Sequence, residues 1–456
     1  MGTDDDPGGP DGAPERSGHV AWILVGRAEV RGRLQPVEIA IDDDGIITAL
    51  GRNLRGGPRH DVGDSVILPA ATDLHVHLRE PGGPRDVETL ASGTIQAALG
   101  GVGLVGDMPN TIPPVTDSDG VEQKARHVTG RAAVDVLLYA LPVRPRALAR
   151  LAETAGGFKV YLSPTTGVEE VPASGEVPGL LARLAELRLP VSVHAEDPSR
   201  FRTDLPDRGL ADWNARRPVA AELAAVASLV DAPSSLRLHV AHVTTGIVAD
   251  RLRAAGVSFE ATPHHLLLSE RSGDCSYRKV NPPLRSEADR AALWARFRRG
   301  EVPCLASDHA PHSFDAKDRP FDLAPSGMPG VETMLPLMLA RVRASELELG
   351  TLVAAASDRP SRWVGQPRGR LAVGHRADLL VVDFRARTRL EARRLHAPCG
   401  WTAFEGWEAI FPREHYRRGE RIVEDGQYIG RPVGEVVRPE YARSHPPART
   451  TTGARP

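Results

Sequence analysis

Between about residue 68 and residue 369, short apolar runs alternate with Ala-, Leu- and Arg-rich stretches, and this alternation constrains the fold more than any other feature. The apolar runs read as strands. They include Val102-Gly103-Leu104-Val105, Val134 to Leu138, Phe158-Lys159-Val160-Tyr161, Val191-Ser192-Val193, Leu236 to Val240 and Cys304-Leu305-Ala306. Helical stretches separate them, such as Val87 to Leu99, Gly179 to Leu187 and Pro218 to Val230. Pro218 is expected at the first helical position, where its missing N–H costs nothing. Strands that alternate with helices imply a parallel sheet. About 300 residues of such alternation suit a closed (β/α)8 TIM barrel better than most open sheets, and in such barrels chemistry sits at the C-terminal strand ends.

The flanking segments follow a different rule. Trp22-Ile23-Leu24-Val25 is one apolar run, Val37 to Ile41 alternates, and Asp44-Gly45 marks a hairpin turn before Ile46-Ile47. Near the other end, Gly374 to Asp383 reads as a strand after a turn, and Tyr416 to Gly426 as a hairpin turning at Asp425-Gly426. The expected α/β architecture is therefore a barrel over 68–369 with a small β-sandwich domain built from both chain ends, 19–67 plus 370–430. A disordered tail is expected over 1–18, rich in Asp, Gly and Pro, and a C-terminal tail over 431–456.

Composition narrows the class. The chain has 456 residues, 41% hydrophobic and 25% charged, with a formal net charge of −2, so it carries no basic footprint for nucleic acid or a membrane surface. Its three cysteines are scattered, form no disulfide framework or zinc knuckle, and fit a reducing cytoplasm. The first residues resemble neither a signal peptide nor an anchor, and no apolar run is long enough to span a bilayer.

The run from Asp73 to Gly82 carries the first chemical hint. Residues two apart in a strand share a face, so His75 and His77 project side by side, as two imidazoles gripping one metal must. Arg79 continues that face with a guanidinium suited to a carboxylate. On spacing alone, an ordinary hydrogen-bonded His pair fits equally well. Further polar residues close later strands: Asp107 to Thr111, Lys159, His194, His242, His264-His265, and Asp308, His309 and His312. Zinc hydrolases need such N and O ligands plus an open position. A lysine among them is odd, unless its amine adds CO2 to become an anionic carbamate able to bridge two metals.

At this point the residues match a family. The chain resembles the cyclic amidohydrolases of the amidohydrolase superfamily, most closely the dihydroorotase family. Besides the opening motif, the likeness runs through Met108 to Thr111, Phe158 to Leu162, His194-Ala195-Glu196, Ala241-His242-Val243 and Pro263 to Leu266. It continues through Lys279 to Arg285, Ser307 to His312, Gly327 to Thr333 and Ala377-Asp378-Leu379. The resemblance implies two zinc ions. His75, His77 and Asp308 would hold the first, His194 and His242 the second, and N6-carboxylated Lys159 would bridge them. It implies substrate contacts from Arg79, Asn110, Asn281 and His312, with the backbone of Ser326-Gly327 closing against the ring. Asp308 would serve as general base and then acid in the reversible hydrolysis of dihydroorotate to N-carbamoyl-L-aspartate, as in pyrimidine biosynthesis. A homo-oligomer and association with aspartate carbamoyltransferase are also implied. His264 and His265 match without an assigned role, and Glu260 and His239 read as structural. Ala241 stands where the animal form has a cysteine, so a third metal is not carried over. Two other readings remain: an allantoinase- or hydantoinase-type enzyme, for which Arg79 is the less usual residue, and a non-catalytic scaffold for a carbamoyltransferase.

Overall fold

A computed structural model describes residues 19–30, 32–273 and 275–441; the expected tail over 1–18 and residues 442–456 lie outside them. Eight parallel strands follow one another in chain order around the barrel: Ala71–Val76, Val102–Asp107, Asp135–Ala140, Gly157–Tyr161, Pro190–His194, Arg237–Val240, Ser258–Ala261 and Cys304–Leu305. Closure comes just past the last strand, where the His77 N–H donates to the His309 carbonyl at 2.8 Å and Val76 bridges His309. That seam brings the His75–Arg79 segment against the Asp308–His312 segment. Most strands are buried along their whole length, as near-continuous Val, Leu and Ala runs require when both faces are covered.

Strands from both chain ends form one further sheet. Trp22–Val30, Arg33–Ile41, Ile47–Gly51 and Arg59–Pro69 come from the first end; Leu379–Val382, Glu414–Arg417, Glu420–Glu424 and Gln427–Tyr428 from the second. Leu24, Ile39, Ile47, Ile67, Leu379 and Val381 share its apolar core. No described helix is long and apolar enough to cross a membrane.

Several local expectations shift. Val66 to Ala71 is one apolar run that serves two sheets: residues 66–69 pair with Leu379–Val382, and the first barrel strand begins at Ala71. The backbone changes sheets within one step. Ala70 N–H goes to the Asp378 carbonyl and Ala71 N–H to that of Gly101, both at 2.9 Å, after Pro69, which has no N–H to give. The helix expected from Val87 is Leu90–Leu99, because extended Thr89 caps it reciprocally with Ser92. Pro218, with ψ near 160°, caps Val219–Ala227 from outside. Asp425-Gly426 does turn the chain, between Glu420–Glu424 and Gln427–Tyr428, while Arg418-Gly419 turns the preceding hairpin. Both turns place two residues at positive φ, as tight hairpins require. Val436–Val437 pairs with Asp135–Ala140, which lays residues from the expected C-terminal tail along the barrel.

Asp135 ties these parts together at the start of its strand. Its carboxylate meets Arg368, takes Nη2 of Arg417 at 2.5 Å and Nη1 of Arg376 at 3.2 Å, and accepts the Glu435 amide at 3.1 Å. Burial pushes its carboxyl up, but Arg368 and Arg417 outweigh that and hold it below the usual carboxylate range. The stabilisation is therefore complete above ordinary carboxylate pH and is lost as pH falls through the folded value. Asp135→Ala takes the nearest carboxylate from buried Arg368 and Arg417, leaving them Asp378 at 3.2 Å and Glu435 at 4.0 Å, and should cost about 3 kcal/mol. Urea unfolding measures this directly; an unchanged midpoint would discount the latch.

Candidate active site

Every metal-ligand candidate reaches the C-terminal mouth of the barrel. His75 lies in the first strand and His77 one residue beyond it. Their Nε2 atoms each approach Asp308 Oδ1 at 3.3 Å. Donor atoms of these three buried residues lie within 4.8 Å of one another. Lys159 Nζ is 3.4 Å from His75 Nε2, and His194 Nδ1 is 2.9 Å from His242 Nε2, with the His75 and His242 rings 5.2 Å apart. Arg79, His242 and Asp308 all have positive φ, a strained state for such residues that clusters where function demands it.

The surroundings fix which nitrogen faces inward. His75 Nδ1 is bonded to Glu260 Oε1 at 2.6 Å, and His77 Nδ1 to Asn110 Oδ1 at 2.7 Å. Both partners are acceptors, so each Nδ1 carries the proton and each Nε2 keeps a lone pair toward Asp308. His194 is held the other way round. Its Nε2 meets Glu196 at 2.9 Å, with Arg217 behind that carboxylate, so Nδ1 faces His242. Burial pushes His77 down to about 3, His194 down, and His242 well below the ordinary imidazole value. Burial raises Asp308, but His75, His77 and His242 outweigh it, and the carboxyl sits well below the usual range. Neutral imidazoles with converging lone pairs beside an ionised carboxylate are the donor set a divalent zinc ion takes.

Arg79, Asn110, Asn281, Ser326 and Gly327 line the same pocket, together with Tyr161, Thr165 and Thr166. Arg79 gives Nε and Nη2 to the Pro311 carbonyl at 3.2 and 2.8 Å. Asn281 Oδ1 accepts from the Trp213 indole at 3.2 Å. His312 Nε2 donates to the Ser326 carbonyl at 2.9 Å. Two substrate candidates are more committed than their spacing suggests. Asn110 orients His77 with its oxygen and gives its amide to the Thr166 carbonyl at 2.9 Å. Gly327 donates its own N–H to the Lys279 carbonyl at 2.9 Å. A Cβ on Gly327 would lie 2.5 Å from the Ala310 oxygen, so only glycine permits this approach. His265 bridges Thr262 Oγ1 at 2.8 Å and the Pro282 carbonyl at 3.0 Å, supporting the segment that carries Asn281.

Glu260 and His239 turn out to form the support of His75. Glu260 Oε2 meets His239 Nε2 at 2.9 Å while Oε1 holds His75. The available signal was an acidic residue flanked by Phe259 and Ala261 in a strand buried from Phe259 onward, since a buried carboxylate needs a partner. Outer partners of ligating histidines are worth about 10- to 100-fold in metal affinity or activity. Glu260→Gln should therefore weaken zinc retention by about that much, read by competition with a chromophoric chelator. Unaltered retention would reduce Glu260 to a packing role.

The fold and the donor set define a metal-dependent cyclic amidohydrolase. Among solved structures the chain is similar to L-hydantoinase (dihydropyrimidinase) from Arthrobacter aurescens, with TM-score 0.85 and 25% identity, covering 92% of this chain and 100% of that one. It shares its fold with dihydropyrimidinase from Brevibacillus agri, at TM-score 0.81, 22% identity and 95% and 99% coverage. The Dihydro-orotase-like family model matches residues 64–144. Curated relatives named dihydroorotase include those of Halobacterium salinarum, 36% identical over 89% of this chain and 97% of that one, and Thermoplasma acidophilum, 33% identical over 91% and 97%. The chain belongs to the dihydroorotase family.

Proposed function

We propose that the chain hydrolyses (S)-dihydroorotate to N-carbamoyl-L-aspartate reversibly, closing the ring in the biosynthetic direction. The observation that carries this reading is Arg79 in one pocket with His75, His77 and Asp308, a guanidinium for a ring carboxylate beside a metal donor set. His75, His77 and Asp308 would hold one zinc ion, His194 and His242 a second, with carboxylated Lys159 between them. Zinc there supplies Lewis acidity toward a carbonyl and toward water. Asp308 accepts the proton of the attacking water and returns it to the ring nitrogen as the C–N bond breaks. Arg79 and His312 orient the carboxylate, and Asn281 the ring.

The likeness to hydantoinases supports a second reading, a ring without a carboxylate. Absorbance assays of dihydroorotate, hydantoin and allantoin, each with and without chelator, separate the two. Chelator-sensitive turnover confined to dihydroorotate is expected. Preference for hydantoin would overturn the reading, and a zinc-free, inactive protein would favour a scaffold for a carbamoyltransferase.

A further inference from the structure

Lys317 is an ammonium with no anion. Its side chain is fully buried, and among the described residues no carboxylate lies within ion-pair distance of Nζ. Its partners are three backbone carbonyls: Pro325 at 2.9 Å, Gly327 at 3.0 Å and Lys279 at 3.3 Å. Three acceptors take three N–H groups, which only the charged form supplies. The Trp401 ring lies 5.5 Å from Nζ, and its indole donates to the His312 carbonyl at 2.8 Å. Burial, then the nearby Lys279 ammonium, push the Lys317 amine down to about 7, with Cys275 pulling the other way.

The carbonyls it grips are not arbitrary. Those of residues 325, 326 and 327 are consecutive, and all are held by one short segment: the first and third by Lys317, the middle one by His312 Nε2. Ser326 and Gly327 line the pocket beside Arg79, and Lys279 adjoins the Asn281 segment while accepting the Gly327 amide. One buried cation thus fastens both substrate-facing segments to the segment that carries Asp308 and His312. An unpaired buried charge is costly, and a nearby anion relieves it.

From this geometry we infer that Lys317 is the positioning residue of the anion subsite: it clamps the 325–327 strap against the pocket, so that Ser326 and Gly327 are held beside Arg79 where the ligand's carboxylate docks. The inference rests on the carboxylate-bearing substrate proposed above. Lys317 does not reach that carboxylate itself; it acts through the strap.

The test uses the zinc-loaded full chain with Lys317→Met and Lys317→Arg. Loss of a buried charge-assisted contact should raise KM for dihydroorotate about 10- to 100-fold in Lys317→Met, with kcat changing far less and zinc content kept. Lys317→Arg should return KM toward wild type. Hydrogen exchange across 320–330 should quicken in Lys317→Met. In the wild type, N-carbamoyl-L-aspartate should slow that exchange, whereas N-carbamoyl-β-alanine, the same molecule without the α-carboxylate, should not. An unchanged KM, or equal protection by both ligands, overturns the subsite role. Unchanged strap exchange in Lys317→Met overturns the clamp, and this measurement needs no substrate. A wild type that ignores dihydroorotate instead defeats the functional proposal, whichever way the strap behaves.

Discussion

Asp308→Asn should abolish most ring opening and closure while leaving the protein folded and close to wild type in zinc content. Asp308 Oδ1 faces the Nε2 atoms of both His75 and His77 at 3.3 Å, and its carboxyl sits well below the usual carboxylate range. Asparagine preserves the shape and one oxygen donor, so two imidazoles and an amide oxygen still meet at the same point. What it cannot do is take a proton from water and return it to a leaving nitrogen. General acid–base groups contribute about 10²- to 10⁴-fold, so kcat should fall by that range. His77→Ala makes the contrasting case, because it removes a nitrogen donor and should lower metal content along with rate. Asp308→Asn turnover within about tenfold of wild type, at equal zinc content, would remove Asp308 from proton transfer. A loss of rate in proportion to zinc would make it a ligand only.

The features legible in the sequence are those with a local signature. His75 lies in a strand with His77 two residues on, just past its end, and Asp308 follows an apolar strand, so period and position mark all three as candidates. The barrel itself was legible because six of its eight strands fall in the short apolar runs that alternate with helical stretches. Other features depend on partners far along the chain. Glu260 gains its meaning from His75, 185 residues away, and no spacing rule connects them. Lys317 ends a short helix after Asp315-Ala316 and looks like a solvated lysine; only the fold puts it under the 325–327 carbonyls. The sheet change at Ala70 was hidden because Val66 to Ala71 is one unbroken apolar run, and apolarity does not say which of two sheets a residue joins. The turn at Arg418-Gly419 was missed because arginine rarely marks a turn; its positive φ is imposed by the strands on either side. The site was therefore more readable in its donors than in what orients them.

Lys159→Ala should lose metal and activity together, and short carboxylic acids should restore part of both. Lys159 is fully buried on its strand, with His75 Nε2 and Ser192 Oγ each at 3.4 Å and, among the described residues, no carboxylate paired to it. Burial pushes its amine down to about 8, against the pull of Glu260 and Asp308. A protonated lysine there would repel the cation that the surrounding histidines are arranged to hold. The neutral amine has another course: its nitrogen bonds to CO2, one proton leaves, and the side chain becomes a carbamate, an anion with two oxygen donors. A depressed value favours this by raising the fraction of free amine near neutral pH. On the proposed bridge, replacing the side chain removes a ligand itself, so the loss should exceed the about 10- to 100-fold typical of outer partners. It also leaves a slot into which formate, acetate or propionate could place a carboxylate. Recovery that saturates with acid concentration and depends on acid size would mark binding in that slot. Metal-stripped wild type gives an independent check, since reloading with zinc should require bicarbonate. Full activity in Lys159→Ala, or reloading that ignores bicarbonate, would exclude the carbamate bridge and leave Lys159 as a buried amine whose cost the fold bears for some other reason.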